Sequence, residues 1–220
     1  MKTSLKISQS IDSHIDSCPF WFWFGRDGIS IWDKRKEKVF YIAYIEKTLP
    51  CLPGFSDIWE RFADYQEEIR KIIGRFIIKP RLALIVPEDI SRIEKRALED
   101  FCIVAARGRE LFEFTQSMIL HSPLEDYIAL TLTCRTCCIA LVREGEIEKR
   151  EFFAVHDCTR ESIKENLQRF CQKYQGETLQ VCYPQIEESE LLFGQGTGVS
   201  FEEMMKNYLC FIRERRKKFL

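Results

Sequence analysis

The sequence has no apolar stretch long enough to cross a bilayer as a helix. Its strongest run, CPFWFWF from Cys18 to Phe24, falls far short of the roughly 18 to 20 residues a span requires. Nor is there charge of either sign to spare: Lys and Arg total 33 against 34 Asp and Glu, a net charge of −1. No global field therefore draws the chain to nucleic acid or to an acidic membrane. Only the tail RERRKKF, Arg213 to Phe219, is locally basic, and it reads as a solvated helix end favoured by the helix dipole. The N-terminal MKTSLKISQSIDSHIDS lacks the apolar core and cleavage site of a secretory signal, and its Asp12 and Asp16 count against an organelle transit peptide. A cytoplasmic location is expected. Histidine is scarce, and His14, His121 and His156 have no partner pattern for nucleophilic catalysis. G-x-S-x-G and H-E-x-x-H are absent, as are internal repeats and low-complexity segments.

What is present suits a globular protein. With 45% hydrophobic and 13% aromatic residues, 220 residues can bury one core or a close pair of small ones. Ten cysteines would suggest a disulfide framework in a short secreted chain, but most sit among apolar neighbours (FCIV, RFCQ, LQVCYP, YLCFI). They are expected to be reduced, buried thiols.

FWFWF, then GRDG, then ISIW predicts two strands around a tight glycine turn, and Lys38 to Ile45 a third strand. The segment beginning FSDIWERFADYQEEIRKII places Ile58, Phe62, Tyr65, Ile69 and Ile72 or Ile73 at helical spacing, with Ser56 or Asp57 as cap. Arg81 to Pro87 is an apolar strand of a sheet covered on both faces. A helix follows, opened by the capping box of Ser91 and Glu94 and stopped at Gly108. Then come the strand ELFEF, a short helix or turn at TQSMILHS, a hairpin of YIALTLT with CCIALVREG, the strand EIEKREFFAV, a helix ending at Gly176, the strand LQVCYP, and a C-terminal helix boxed by Ser200 and Glu203. This order is that of a three-layer α/β protein made of two similar halves.

Two stretches could carry chemistry. In TLTCRTCCIA, Cys134, Cys137 and Cys138, with His156 and Cys158 downstream, offer five soft ligands. Yet the second cysteine pair opens an apolar strand and no second C-x-x-C exists, so buried or turn cysteines are the plainer explanation. In LLFGQGTGVSFEE, Gly194, Gly196 and Gly198 precede a capped helix whose free amides could receive a phosphate, although no lysine follows as in a P-loop. An exposed glycine loop is the commoner case.

From Lys79, KPRLALIVPEDISRIEKRALEDFCIVAARGRELFEFTQSM resembles the actin-like cell-shape family MreB, through Lys79, Pro80, Arg81, Val86, Pro87, Ile90, Glu94, Arg96, Ala97 and Met118. The likeness extends from about Phe20 to Tyr174. It implies an actin-like (ribonuclease H-like) fold with an N-terminal extension over 1–17, a first lobe over 18–124 without the family's small inserted subdomain, and a shortened second lobe over 125–220 ending in a basic helix. FWFWFGRDG falls on the family's first phosphate loop and TLTCRTCCIA on its second. The family's carboxylates and glycines are mostly replaced there: Trp23 and Thr131 stand at the aspartates, Thr115 or Gln116 at the catalytic glutamate, and Thr133, Cys134 and Arg135 at three glycines. Without those carboxylates a divalent metal is poorly held, and side chains on the former glycines obstruct phosphate. The resemblance therefore implies a catalytically inactive binding or scaffold protein, linked to bacterial cell shape or division, with protein partners, no cofactor, and self-association left open. Two alternatives stand beside it. One is an ATPase with a rearranged pocket around Gly25, Arg26, Asp27, Arg135, Thr136, Gly194, Gly196 and Gly198, which would take ATP. The other is a metal or redox sensor built on the cysteines. Arg135, at an exposed hairpin tip, is the expected anion contact.

Overall fold

A computed structural model describes residues 17–25, 28–44, 55–122, 125–133, 135–174, 178–185, 192 and 194–217, with side chains at 55–57 and 210–217 left aside. The chain divides into two compact units: Met1–Val86 with Ile90–Phe114, and Pro87–Asp89 with Thr115–Leu220. The division after Phe114 precedes the expected lobe boundary at 124. The reason is the 3-10 turn Gln116–Ile119, which is tied to the second unit by the Tyr127 hydroxyl, donating to Ser117 O at 2.6 Å.

The first unit runs β1 (Phe20–Phe24), β2 (Gly28–Asp33), β3 (Lys38–Ala43), α1 (Phe55–Glu60), α2 (Phe62–Ile73), β4 (Arg81–Val86), α3 (Arg92–Ala105) and β5 (Glu110–Thr115). Its sheet has the order β3-β2-β1-β4-β5, with β1 antiparallel to β2 and parallel to β4. Strand alternation puts Phe20, Phe22 and Phe24 into one core with Leu82, Leu84, Tyr65, Ile69 and Phe101. Trp21 turns to the opposite face, where it stacks on Phe114 at 5.1 Å. Each such fully buried side chain contributes about 1.5–3 kcal/mol.

The helix predicted as continuous from Phe55 is interrupted at Arg61 (φ −115°, ψ 32°), whose carbonyl accepts from Asp64 and Tyr65 as α2 restarts. Both pieces still bury their apolar residues, Ile58 in α1 and Tyr65, Ile69 and Ile73 in α2. The proposed caps Ser56 and Asp57 lie outside the described side chains. In α3 the Ser91–Glu94 capping box forms in both directions. Its end differs from expectation: Arg107, not Gly108, takes the left-handed conformation (φ 52°). Gly108 packs closely instead: a Cβ there would lie 2.6 Å from Leu82 Cδ1, and that side chain would have to shift.

The second unit runs β6 (Tyr127–Leu132), β7 (Thr136–Arg143), β8 (Glu146–Ala154), α4 (Arg160–Tyr174), β9 (Gln180–Pro184), β10 (Thr197–Val199) and α5 (Phe201–Lys217). Its sheet order, β10-β9-β6-β7-β8, reproduces that of the first unit position by position when read from the other end. The chain is thus two related halves of α/β type, each with three antiparallel strands followed by two more on the far side of the first. Ile128, Leu130, Ile139 and Leu141 pack on Ile163, Leu167 and Phe170 of α4. The second capping box forms at Ser200 and Glu203, holding the Glu203 carboxyl below its usual range through the Ser200 side-chain and backbone hydrogen bonds. Strand β10 is new: it lies within the stretch expected to be a glycine loop.

Candidate functional site

Leu132 pairs with Cys137 and Thr131 with Cys138 across β6 and β7, so the connection is the tight turn 133–136. Thr133 closes it, its N–H donating to Thr136 O at 2.8 Å. Its hydroxyl oxygen in turn accepts the N–H groups of Arg135 (3.1 Å) and Thr136 (3.0 Å). The amides of Thr133, Arg135 and Thr136, which a phosphate at this turn would draw on, are therefore engaged within the turn itself.

The outward side of the turn is met by an anion supplied by the chain. Asp89 Oδ2 accepts from Thr133 Oγ1 at 2.6 Å, Thr136 Oγ1 at 3.1 Å and Arg135 Nε at 3.3 Å, while Arg135 Nη2 donates to the Asp89 carbonyl at 3.1 Å. The Asp89 side chain is only 9% exposed, against 32% for Arg135. Arg135, expected as the contact for a bound anion at an exposed tip, is instead engaged by a carboxylate of its own chain. The neighbouring Glu88 accepts from Thr131 Oγ1 at 2.9 Å through one oxygen and from the Ser117 N–H through the other. Glu88 thus brings a carboxylate to the start of the 3-10 turn, beside Gln116 and Thr115, where the resemblance had placed the loss of one. Asp89 Oδ1 and Ser117 Oγ are buried without a hydrogen-bond partner among the described residues.

Sequence reasoning missed both acids because it compared the loops one at a time. The signal was there in V-P-E-D-I, two carboxylates directly after a buried strand, where chain direction delivers side chains to the sheet's C-terminal edge.

Other candidates disperse. Gly25 donates its N–H to Gly28 O at 3.0 Å, and its carbonyl accepts from the Tyr44 hydroxyl at 3.2 Å. Arg26, Asp27 and Cys134 lie outside the described residues. Gly194 has φ 84°. Gly196 is demanded by packing, since a Cβ would come within 2.3 Å of Val181 O, and Gly198 lies within β10 against the Tyr183 ring. Of these three glycines only Gly198 belongs to a strand.

The cysteine set does not converge. Cys137 and Cys138 are consecutive in β7 and face opposite sides of the sheet: Cys137 joins the core under α4, whereas Cys138 lies on the side of Glu88 and Thr131. Burial pushes the Cys138 thiol up to about 12 and raises Cys137 as well. Cys158 donates to Ala154 O at 3.3 Å. Among the described residues no group of three or more His, Cys, Asp or Glu is arranged to hold a metal ion.

No protein-family model and no curated protein matches the sequence. Solved structures do. The filament of AlfA bound to AMPPNP is 10% identical, with a TM-score of 0.55 over 93% of this chain and 100% of that one. The ethanolamine utilization protein EutJ from Carboxydothermus hydrogenoformans is 11% identical, with a TM-score of 0.51 over 94% of this chain and 98% of that one. MreB5 of Spiroplasma citri bound to ADP is 5% identical at a TM-score of 0.44, and the chain spans 58% of its length. The chain has an actin-like fold. Its two five-stranded sheets of the same order are the two halves of that fold, in a shortened form that AlfA and EutJ match over nearly their whole length. No helix among the described residues is long and apolar enough to cross a membrane.

Proposed function

We propose that this actin-like chain is catalytically silent and works by binding, as a scaffold or assembly component, with cell shape or division as the process suggested by its resemblance to MreB. The observation that supports this reading is the Asp89 carboxylate seated on Thr133, Thr136 and Arg135. A phosphate approaching the hairpin would meet an anion already bound and the amides of Thr133, Arg135 and Thr136 already paired, and it would have to displace both. Self-association belongs to the same proposal: the AlfA structure is a filament, and this chain aligns with all of that protein's length.

A second reading has its own support. Glu88 puts a carboxylate on Thr131 and Asp89 a second on Thr133 and Thr136, with Asp89 Oδ1 left without a partner among the described residues. A rearranged ATPase would draw on these acids to hold a divalent cation or orient water.

Titration calorimetry with ATP and ADP, with and without magnesium, separates the two when combined with a phosphate-release assay. Silence in both assays for the unaltered chain, with weak nucleotide binding gained on Asp89→Ala, is the expected result. Magnesium-dependent phosphate release abolished by Glu88→Gln would overturn the proposal in favour of the ATPase.

A further inference from the structure

A cavity of about 500 Å³ opens in the first unit where α2 and α3 both end, and four of the residues lining it are Arg70, Arg75, Lys79 and Arg107. No acid lines it. The two helix ends are well defined. Gly74 (φ 76°) closes α2 by donating its N–H to Arg70 O at 2.9 Å, and Gly108 closes α3 by donating to Ile103 O. The segment between α2 and β4 is held by Phe76, which meets the Phe20 ring edge-on at 5.6 Å and lies under the Arg35 guanidinium at 4.7 Å.

Elsewhere in this unit several cations are partnered by acids: Arg35 with Asp33, Lys71 with Glu67 and Glu68, Arg81 with Glu110, Lys95 with Glu113, and Arg96 with Asp100. Among the described residues no carboxylate pairs with any of the four that line the cavity. Arg70 Nε is buried and has no acceptor. A buried donor without a partner beside three further cations offers an unmet hydrogen bond to an acceptor from outside. The ends of α2 and α3 explain why cations are tolerated here, since each presents about half a negative charge. Four positive charges still exceed the roughly one negative charge of two helix ends, so the cavity remains an attractive well for an anion.

We propose that this cavity is an oxyanion site that takes a phosphate-bearing ligand. Three guanidinium groups suit it to phosphate, which they can grip through paired N–H donors, and Lys79 adds a point charge. The site lies wholly within the first unit and shares no residue with the hairpin of the second.

Inorganic pyrophosphate titrated into the full chain by calorimetry is the direct test, run in parallel with sedimentation on phosphatidylglycerol vesicles. Arg70→Gln removes the buried donor. Arg107→Gly removes a charge while relieving a left-handed backbone, so it should fold at least as well as the parent. Lys149→Gln, on β8 of the other unit, is the control. The expected result is saturable binding weakened at least tenfold by each arginine change and unaltered in the control. Binding of pyrophosphate would identify a soluble phosphate ligand. Arginine-dependent binding to the vesicles alone would identify a lipid headgroup as the source of the same chemistry. Absence of binding to both probes overturns the proposal. So does binding that survives both arginine changes, including vesicle binding that is lost only on changing the exposed Ile77 and Ile78 to Ser.

Discussion

The first hairpins of the two units are built to the same register and finished with opposite chemistry. Phe24 pairs with Ile29 before the turn 25–28, just as Leu132 pairs with Cys137 before the turn 133–136. In each, the first turn residue donates its N–H to the carbonyl of the fourth, Gly25 to Gly28 at 3.0 Å and Thr133 to Thr136 at 2.8 Å. Gly25 and Gly28 thus correspond to Thr133 and Thr136. The first turn packs through absence of side chain: a Cβ on Gly28 would lie 2.4 Å from Ile42 O and 2.7 Å from the Tyr41 ring. The second replaces glycine by hydroxyls, and an aspartate from outside the hairpin satisfies them. Retained glycine in one turn and its loss in the other therefore say little about a ligand, because local packing accounts for the first and Asp89 for the second.

The two turns can be broken separately and observed separately, because all four tryptophans, Trp21, Trp23, Trp32 and Trp59, belong to the first unit. Tryptophan fluorescence reports that unit alone, and labelling of the buried Cys137 and Cys138 reports the second. The largest effect is expected from Asp89→Ala. It removes the carboxylate from a partly exposed guanidinium and from the Thr133 and Thr136 hydroxyls, at a cost of about 2–3 kcal/mol after allowance for the solvent on Arg135. Thiol labelling should accelerate accordingly while the fluorescence transition in urea stays put. Next is Gly28→Ala, which forces backbone against backbone and should cost the first unit about 2 kcal/mol, seen in fluorescence and not in labelling. If either change moves both probes equally, the units do not unfold independently and the comparison collapses.

Arg135→Ala comes third, at about 1–2 kcal/mol. An exposed tip residue would move stability by about 0.5 kcal/mol or less, so a value in that lower range would mean that the bonds to Asp89 contribute nothing in solution.

That contrast marks where the sequence stopped being informative. Strand and helix periodicity located both halves, and the Ser91 and Ser200 boxes form as their spacing requires. Alternation along FWFWF sets Phe20, Phe22 and Phe24 against Trp21, and it depends only on neighbours along the chain. Partnership between Asp89 and Arg135 spans 46 positions, and nothing in local pattern encodes it. Strand β10 was hidden for a related reason. Three residues containing a glycine carry no strand periodicity, and Thr197–Val199 becomes a strand only because Cys182–Pro184 is there to pair with it. Arg61 likewise interrupts a helix with no proline or glycine to announce it.

Each unit also uses one buried aspartate to lock one turn, Asp89 at 133–136 and Asp33 at the turn between β2 and β3, and acid should test the second of these with the smallest expected effect. Burial by itself would raise the Asp33 carboxyl, but the Arg35 side chain (2.9 and 2.8 Å) and N–H (3.0 Å), reinforced by the charges of Arg35 and Lys36, outweigh it and hold the group below its ordinary range. A carboxyl depressed in the folded state contributes stability that is complete above its unfolded value of about 3.9 and is lost as pH falls through the folded value. With both cationic partners exposed to solvent, the contribution at pH 7 should be about 1 kcal/mol. Asp33→Asn should therefore lower the urea midpoint of the fluorescence transition at pH 7, and the gap to the parent should close between about pH 4 and pH 2.5. A gap of the same size at pH 2.5 would mean that Asp33 serves its turn as a neutral acceptor, and the parallel with Asp89 would rest on geometry without charge.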